Sequence, residues 1–231
     1  MKKLIFIICF LLLKIPLSAA GNYPTITHSG ESLADFIPEN YTALDTVFTD
    51  FNKDSEVDFA LVIEGKDSLI EIRKYITENA ENVDKPRILI ICFKKDSGYE
   101  LVEQSNTFIL RSSEGGVLGD PFQGISAENG VLEIDFYGGS SDRWSLTYKF
   151  QYRKDAFTLI GAESYFFNTN DMSYESNSFN FLTSKVQITK GNNETDEKEA
   201  EKWVALKKFK LKTFNTFTQP YSWKISKDLY L

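Results

Sequence analysis

The chain has 231 residues, a net charge of −7 and a 14% aromatic content that includes 19 Phe and 11 Tyr. So acidic a chain lacks the basic footprint that nucleic acid or an anionic membrane surface requires. Its single histidine, His28, excludes histidine-based triads and multi-histidine zinc sites.

At the start, Lys2 and Lys3 precede an apolar run over residues 4–13, and Ser18-Ala19-Ala20 offers small residues for cleavage. This pattern predicts a signal peptide over residues 1–20 and an exported chain, periplasmic or extracellular. The apolar run is shorter than the roughly 20 residues a membrane helix needs, and no longer one follows, so no membrane span is expected. Without the leader's three lysines the net charge falls from −7 to −10. Cys92 is then the lone cysteine, inside an apolar run, where it reads as a small buried thiol with no disulfide partner.

Further along, residues 32–37 suit a short helical turn capped by Ser32 and stopped before Pro38. An acidic loop over residues 50–58 leads into an apolar strand at 59–63. Residues 67–79 are the best helix candidate, with Leu69, Ile72, Tyr75 and Ile76 on one face. A strand at 87–93, a turn at Asp96-Ser97-Gly98 and a return strand at 99–102 follow. Gly115 to Gly124 lacks the Gly-Lys-Ser/Thr of a phosphate loop and reads as a long turn.

Asn129-Gly130 is a strong hairpin signal. After it, Leu132, Ile134 and Phe136 alternate with Val131, Glu133 and Asp135, and Leu146, Tyr148, Phe150 and Tyr152 alternate with polar residues. That period of two predicts strands with one face buried. Strands are also expected at 157–160, 179–182 and 185–189. Residues 191–202 should be a charged, solvated excursion with room for a short helix, and 203–217 alternates again. The sum is a mainly β protein, an antiparallel sheet or sandwich of short strands with one or two short helices. Residues 21–231 make a single domain.

The loop carries the clearest chemistry. Asp50, Asn52, Asp54 and Asp58 place side-chain oxygens at its first, third, fifth and ninth positions, with the Glu56 carbonyl at the seventh. Hard cations such as calcium take six to eight oxygen ligands, so calcium is the expected cofactor. An EF-hand is excluded because its twelfth position, a bidentate Glu, is Leu61 here, in an apolar strand. The strand-flanked loop resembles those of FG-GAP and VCBS-type repeats, with one departure: Ser55 stands where those loops usually carry Gly. The set formed by Phe36-Ile-Pro, Leu44-Asp45, the loop, residues 115–125, Phe136-Tyr-Gly-Gly-Ser and Arg143-Trp144 is similar to a group of uncharacterised exported bacterial proteins with such a loop. The resemblance implies the fold and the ion site, and no activity.

A second constellation joins the glycine-rich turn to residues 138–144. Asp120, Tyr137, Asp142, Arg143 and Trp144 would line a polar-aromatic pocket suited to a glycan or peptide. Glu133 and Asp135 share one strand face, which is the minimum a glycosidase needs, although outward acids on a strand are usually a solvated face. The leading expectation is a non-catalytic, exported, calcium-binding protein that binds an unidentified protein or glycan. The alternative is a carbohydrate-binding module or weak glycoside hydrolase using the Trp144 region.

Overall fold

The alternating segments of the sequence build one sheet and the continuous apolar segments build another. The computed structural model describes residues 23–74, 79–195, 197–227 and 229–231. The leader expected over residues 1–20 lies outside them.

The larger sheet is an antiparallel meander of seven strands: β8 (Phe122–Glu128), β9 (Val131–Gly139), β10 (Asp142–Arg153), β11 (Ala156–Asn168), β12 (Ser173–Asn180), β13 (Lys185–Asn192) and β14 (Glu197–Ala205), each beside the next. Leu132, Ile134 and Phe136 of β9 and Leu146, Tyr148 and Phe150 of β10 are buried, as their alternation predicts. Asn129 and Gly130 hold φ of 52° and 74°, the doubly left-handed conformation that a tight two-residue hairpin needs.

The smaller sheet runs in the order β1 (Ser29–Gly30), β7 (Gly98–Ser105), β6 (Arg87–Lys95), β3 (Asp58–Gly65), β2 (Tyr41–Thr49). Its two central strands are apolar on both faces because both faces are covered. Ala60, Val62, Leu89 and Ile91 pack into the core shared with the seven-stranded sheet. Phe59, Leu61, Ile63, Ile88, Ile90 and Cys92 pack beneath the N-terminal segment, against Ile26 and Phe36. The arrangement is that of a β sandwich. The turn expected at residues 32–37 is a single 3-10 turn, Leu33–Phe36, in which Asp35 Oδ2 accepts the Ser32 N–H at 2.9 Å.

At one margin the two sheets meet. Leu44 is bulged out of the β2 register. The neighbouring Asp45 carboxylate accepts the Ile125 N–H of β8 at 2.8 Å, so a side chain completes a bond that another strand would otherwise make. Among the described residues, no helix is long and apolar enough to cross a membrane.

Three expectations are corrected. In place of a helix over 67–79 there is a two-stranded hairpin of β4 (Leu69–Lys74) and β5 (Asn79–Asp84). Tyr75 and Ile76, which were to complete the helix face, lie outside the described residues. The hairpin is inverted: Glu71 and Arg73 face inward, whereas Ile70, Ile72 and Val83 are more than half exposed. The charged excursion at 191–202 is also largely strand, closing β13 and forming β14. Glu201 and Lys202 suit an edge strand, where charge deters pairing with other chains. Beyond Ala205 the alternation does not continue as strand, yet Phe214 and Phe217 still fill the core.

The inversion of the hairpin has a partner inside the protein. Arg73, Arg87 and Arg111 are almost wholly buried. Arg111 Nε and Nη2 meet the Glu71 carboxylate at 2.6 and 3.1 Å; Nη2 also reaches the Asn106 carbonyl and the Tyr23 hydroxyl, and Nη1 the Ile109 carbonyl. Arg73 grips Glu114 through Nε and Nη2 at 3.1 and 3.0 Å. Arg87 binds Glu64 at 2.8 Å and both oxygens of Asp120. Burial alone would raise the Glu71 carboxyl, but the hydrogen bonds and charge of Arg111 outweigh it and hold it below the usual carboxylate range. The same balance, with Arg87 as partner, lowers Asp120.

Removing one member of such a buried pair strands the other, so Arg111→Ala should cost about 3–5 kcal/mol in chemical denaturation, against under ~0.5 kcal/mol for a surface substitution. The depressed carboxylates stabilise the fold above their unfolded values near 4 and lose that contribution as the pH falls through the folded values. Asp58 and Glu103, raised chiefly by burial, work in the opposite sense. Denaturation midpoints should hold from neutrality down to about pH 5 and drop below about 4. A midpoint flat to about pH 3 would refute this account of the network.

Candidate functional site

Residues 50–58 fold as a closed loop between β2 and β3, pinned at two points. Phe51 is buried and meets Phe157 edge to face, with ring centroids 5.5 Å apart. Asp58, fully buried, accepts the Phe51 N–H through Oδ2 and the Lys94 N–H of β6 through Oδ1, both at 2.9 Å.

Between these anchors the backbone winds around the Asp50 carboxylate. Asp50 Oδ1 accepts the N–H groups of Lys53 and Asp54 at 2.6 and 3.1 Å, and Oδ2 accepts that of Ser55 at 2.9 Å. Asn52 Oδ1 takes the Asp54 N–H and Asp54 Oδ1 takes the Glu56 N–H, both at 2.9 Å. Lys53 and Ser55 sit at φ of 67° and 74°, in the left-handed region. Gly130 comes close to the loop: a Cβ there would stand 3.0 Å from the Asp50 carbonyl oxygen.

The electrostatics fit this winding. The Glu56 N–H and the Asn52 amide hold the Asp54 carboxyl below the usual range. Asp58 is pushed up, first by burial and then by repulsion from Asp54 and Asp50, against the pull of the Lys94 and Phe51 N–H groups. Asp50 and Asp54 therefore both act on Asp58, while the Lys95 charge helps to hold Asp54 ionised. All the ligand atoms are oxygens, as a hard cation requires; Asp50 Oδ1 is already filled by two N–H groups, but a carboxylate oxygen that accepts one N–H, as Asp50 Oδ2 does, keeps a second lone pair. Asp50, Asn52, Asp54, Asp58 and the Glu56 carbonyl are the groups that would hold calcium. Against that, among the described residues no three His, Cys, Asp or Glu side chains are set to hold a metal ion. The Asn52 amide also donates to Asp54 Oδ2 at 2.8 Å, a contact that would have to be released.

The residues of the second constellation are not brought together. Asp120 is engaged by Arg87. Arg143 and Tyr137 lie on one face of the seven-stranded sheet and Trp144 on the other, since Trp144 pairs with Gly138 and Arg143 with Gly139. A Cβ on Gly138 would stand 2.5 Å from the Trp144 ring, so glycine makes room for the indole. Asp142 accepts from the Asn168 amide at 2.7 Å.

Trp144 instead opens onto a pocket of about 500 Å³ that also takes in Ser164, Phe166, Asn177, Tyr221 and Tyr230. Period-two reading of β10 places Trp144 on the face of Leu146 and away from Arg143. The remaining members depend on strand register and on the C-terminal segment, which no local signal reveals.

Other candidate groups are engaged elsewhere. His28 is exposed beside Glu100, at 3.2 Å. Glu133 meets Lys149 at 3.5 Å, and Asp135 accepts the Thr147 hydroxyl. Cys92 is buried, which pushes its thiol up and away from reactivity. No protein-family model matches the chain, and no curated protein or solved structure matches it.

A side chain held at the φ of Ser55 costs about 1 kcal/mol relative to glycine. Ser55→Gly should therefore raise the stability of the metal-free protein by about 0.5–1 kcal/mol in chemical denaturation. An unchanged or lower midpoint would mean that the loop carries no such strain.

Proposed function

We propose that this chain is an exported, non-catalytic β protein whose 50–58 loop binds calcium and which acts by binding a partner in the envelope or outside the cell. The observation that carries the reading is the convergence of three successive backbone N–H groups on the Asp50 carboxylate. With it, Ser55 adopts the left-handed conformation at the sixth position. Asx turns use single contacts of this kind, and their succession here at Asp50, Asn52 and Asp54 keeps alternate side-chain oxygens on one loop, the spacing an ion site uses.

Calcium would relieve the repulsion that Asp50 and Asp54 exert on Asp58, and so tie the loop to the strands it joins. Affinity in the range of extracellular modules, roughly 10⁻⁴–10⁻³ M, suits a loop with serine in the glycine position. Because ion binding must compete with a proton on the raised Asp58 carboxyl, it weakens as the pH falls toward the carboxylate range.

Calorimetric titration of the protein with calcium should give saturable heat and a rise in Tm, both lost in Asp54→Ala. At 100 times the Kd the stabilisation should be about 2.7 kcal/mol. No heat and no Tm shift with calcium raised to about 100 mM, against magnesium at the same ionic strength, would remove the ion site.

A further inference from the structure

Trp144 and Leu146 of β10, Ser164 and Phe166 of β11 and Asn177 of β12 lie on the core-facing side of the seven-stranded sheet, paired across the strands. They lie at the margin of the shared core, of which Leu146 is a member and against which Trp144 packs. The C-terminal segment supplies the opposite wall through Tyr221 and Tyr230, with Tyr221 held edge to face against Trp144 at 5.4 Å. That segment is fixed by its own hairpin, in which Trp223 and Leu231 exchange backbone hydrogen bonds at 2.9 Å. The pocket, about 500 Å³, is of the size that accepts a small ligand. It shares no residue with the 50–58 loop.

Its chemistry is unusual in two respects. No residue lining it is charged, which excludes phosphates, nucleotides and metal ions as its natural occupants. Its aromatic walls nevertheless stand over a polar floor that is incompletely bonded. Asn177 is only 8% exposed, and its Oδ1 has no hydrogen-bond partner among the described residues. The amide cannot turn to relieve this: Nδ2 donates to Glu175 Oε1 at 3.1 Å and to Ser164 Oγ at 3.3 Å, and Glu175 is in turn neutralised by Lys190 at 2.5 Å. Ser164 Oγ, used there as an acceptor, retains its own O–H to donate.

The Asn177 acceptor is already buried without a partner, a state that costs about 1–3 kcal/mol, and a purely apolar ring seated here would leave it so and cover the Ser164 donor as well. A ring with an apolar face and hydroxyls at its edge satisfies both walls and floor. We propose that this pocket binds an uncharged saccharide unit, one face on the Trp144 and Phe166 rings and its hydroxyls toward Ser164 and Asn177. Phe166, 45% exposed, forms the accessible lip.

The test is ligand-observed saturation-transfer NMR and tryptophan fluorescence on the full chain, with neutral trisaccharides of glucose, mannose and N-acetylglucosamine as probes. At least one should bind saturably and change a fluorescence signal that Trp144→Phe removes. Phe166→Ala, at a half-exposed position that leaves the fold intact by circular dichroism, should weaken binding about tenfold, which is ~1.4 kcal/mol. Asn177→Leu, which keeps the shape and removes the polar floor, should abolish it. Three results would overturn the assignment: no transfer to any of the sugars, binding unchanged in Phe166→Ala, or saturable binding of N-acetyl-tyrosine amide in place of the sugars.

Discussion

Three guanidinium groups, taken out of water and returned their hydrogen bonds by the protein, hold this molecule's parts in place. Arg111 joins Tyr23 in the N-terminal segment, Glu71 on the β4–β5 hairpin and the carbonyls of the 106–109 stretch. Arg73 ties the same hairpin to Glu114, and Arg87 ties the β3–β6 pair to Asp120. An isolated two-stranded hairpin is marginal in water, so β4 and β5 depend on these contacts. Buried ion pairs contribute little net stability relative to apolar packing of the same volume. Their value here lies in position: the bidentate fork of Arg73 or Arg111 fits one carboxylate in one orientation.

That constraint also marks where the sequence was legible and where it was not. The period of two in Val131 to Tyr137 and in Leu146 to Arg153 reports a sheet with one wet face. The unbroken runs at 59–63 and 87–93 report strands covered on both faces. Such patterns are local, and local reading recovers them. The β4–β5 hairpin defeats it because its inward residues are charged, with partners far along the chain. Leu69 and Ile72 fit a helical stripe by spacing alone, and nothing within that segment says that Arg73 will find Glu114.

The same distinction separates the two candidate sites. The 50–58 loop is written in nine consecutive residues, so its winding around Asp50 follows from their order. The aromatic pocket takes Trp144 from one strand, Asn177 from another and Tyr221 from the C-terminal segment, so it exists only once the register of β10, β11 and β12 is set. The proposed grouping of Trp144 with Tyr137 and Arg143 failed on parity, since neighbouring residues of a strand face opposite ways. The loop itself is joined to both layers: Asp58 takes an N–H from β6, and Phe51 lodges against Phe157 of β11.

The bond from Asp45 to the Ile125 amide has a bearing on how the molecule behaves in a crowd. β2 and β8 are the outermost strands of their sheets, and the bare backbone of an outermost strand invites a foreign strand to dock and begin a fibril. Here the two rims face each other, the Leu44 bulge breaks the regular spacing a newcomer would copy, and the carboxylate occupies a donor it would use. A single acid placed at a kink thus occupies a backbone donor through which a foreign strand would dock, a role that no count of core contacts would assign to it.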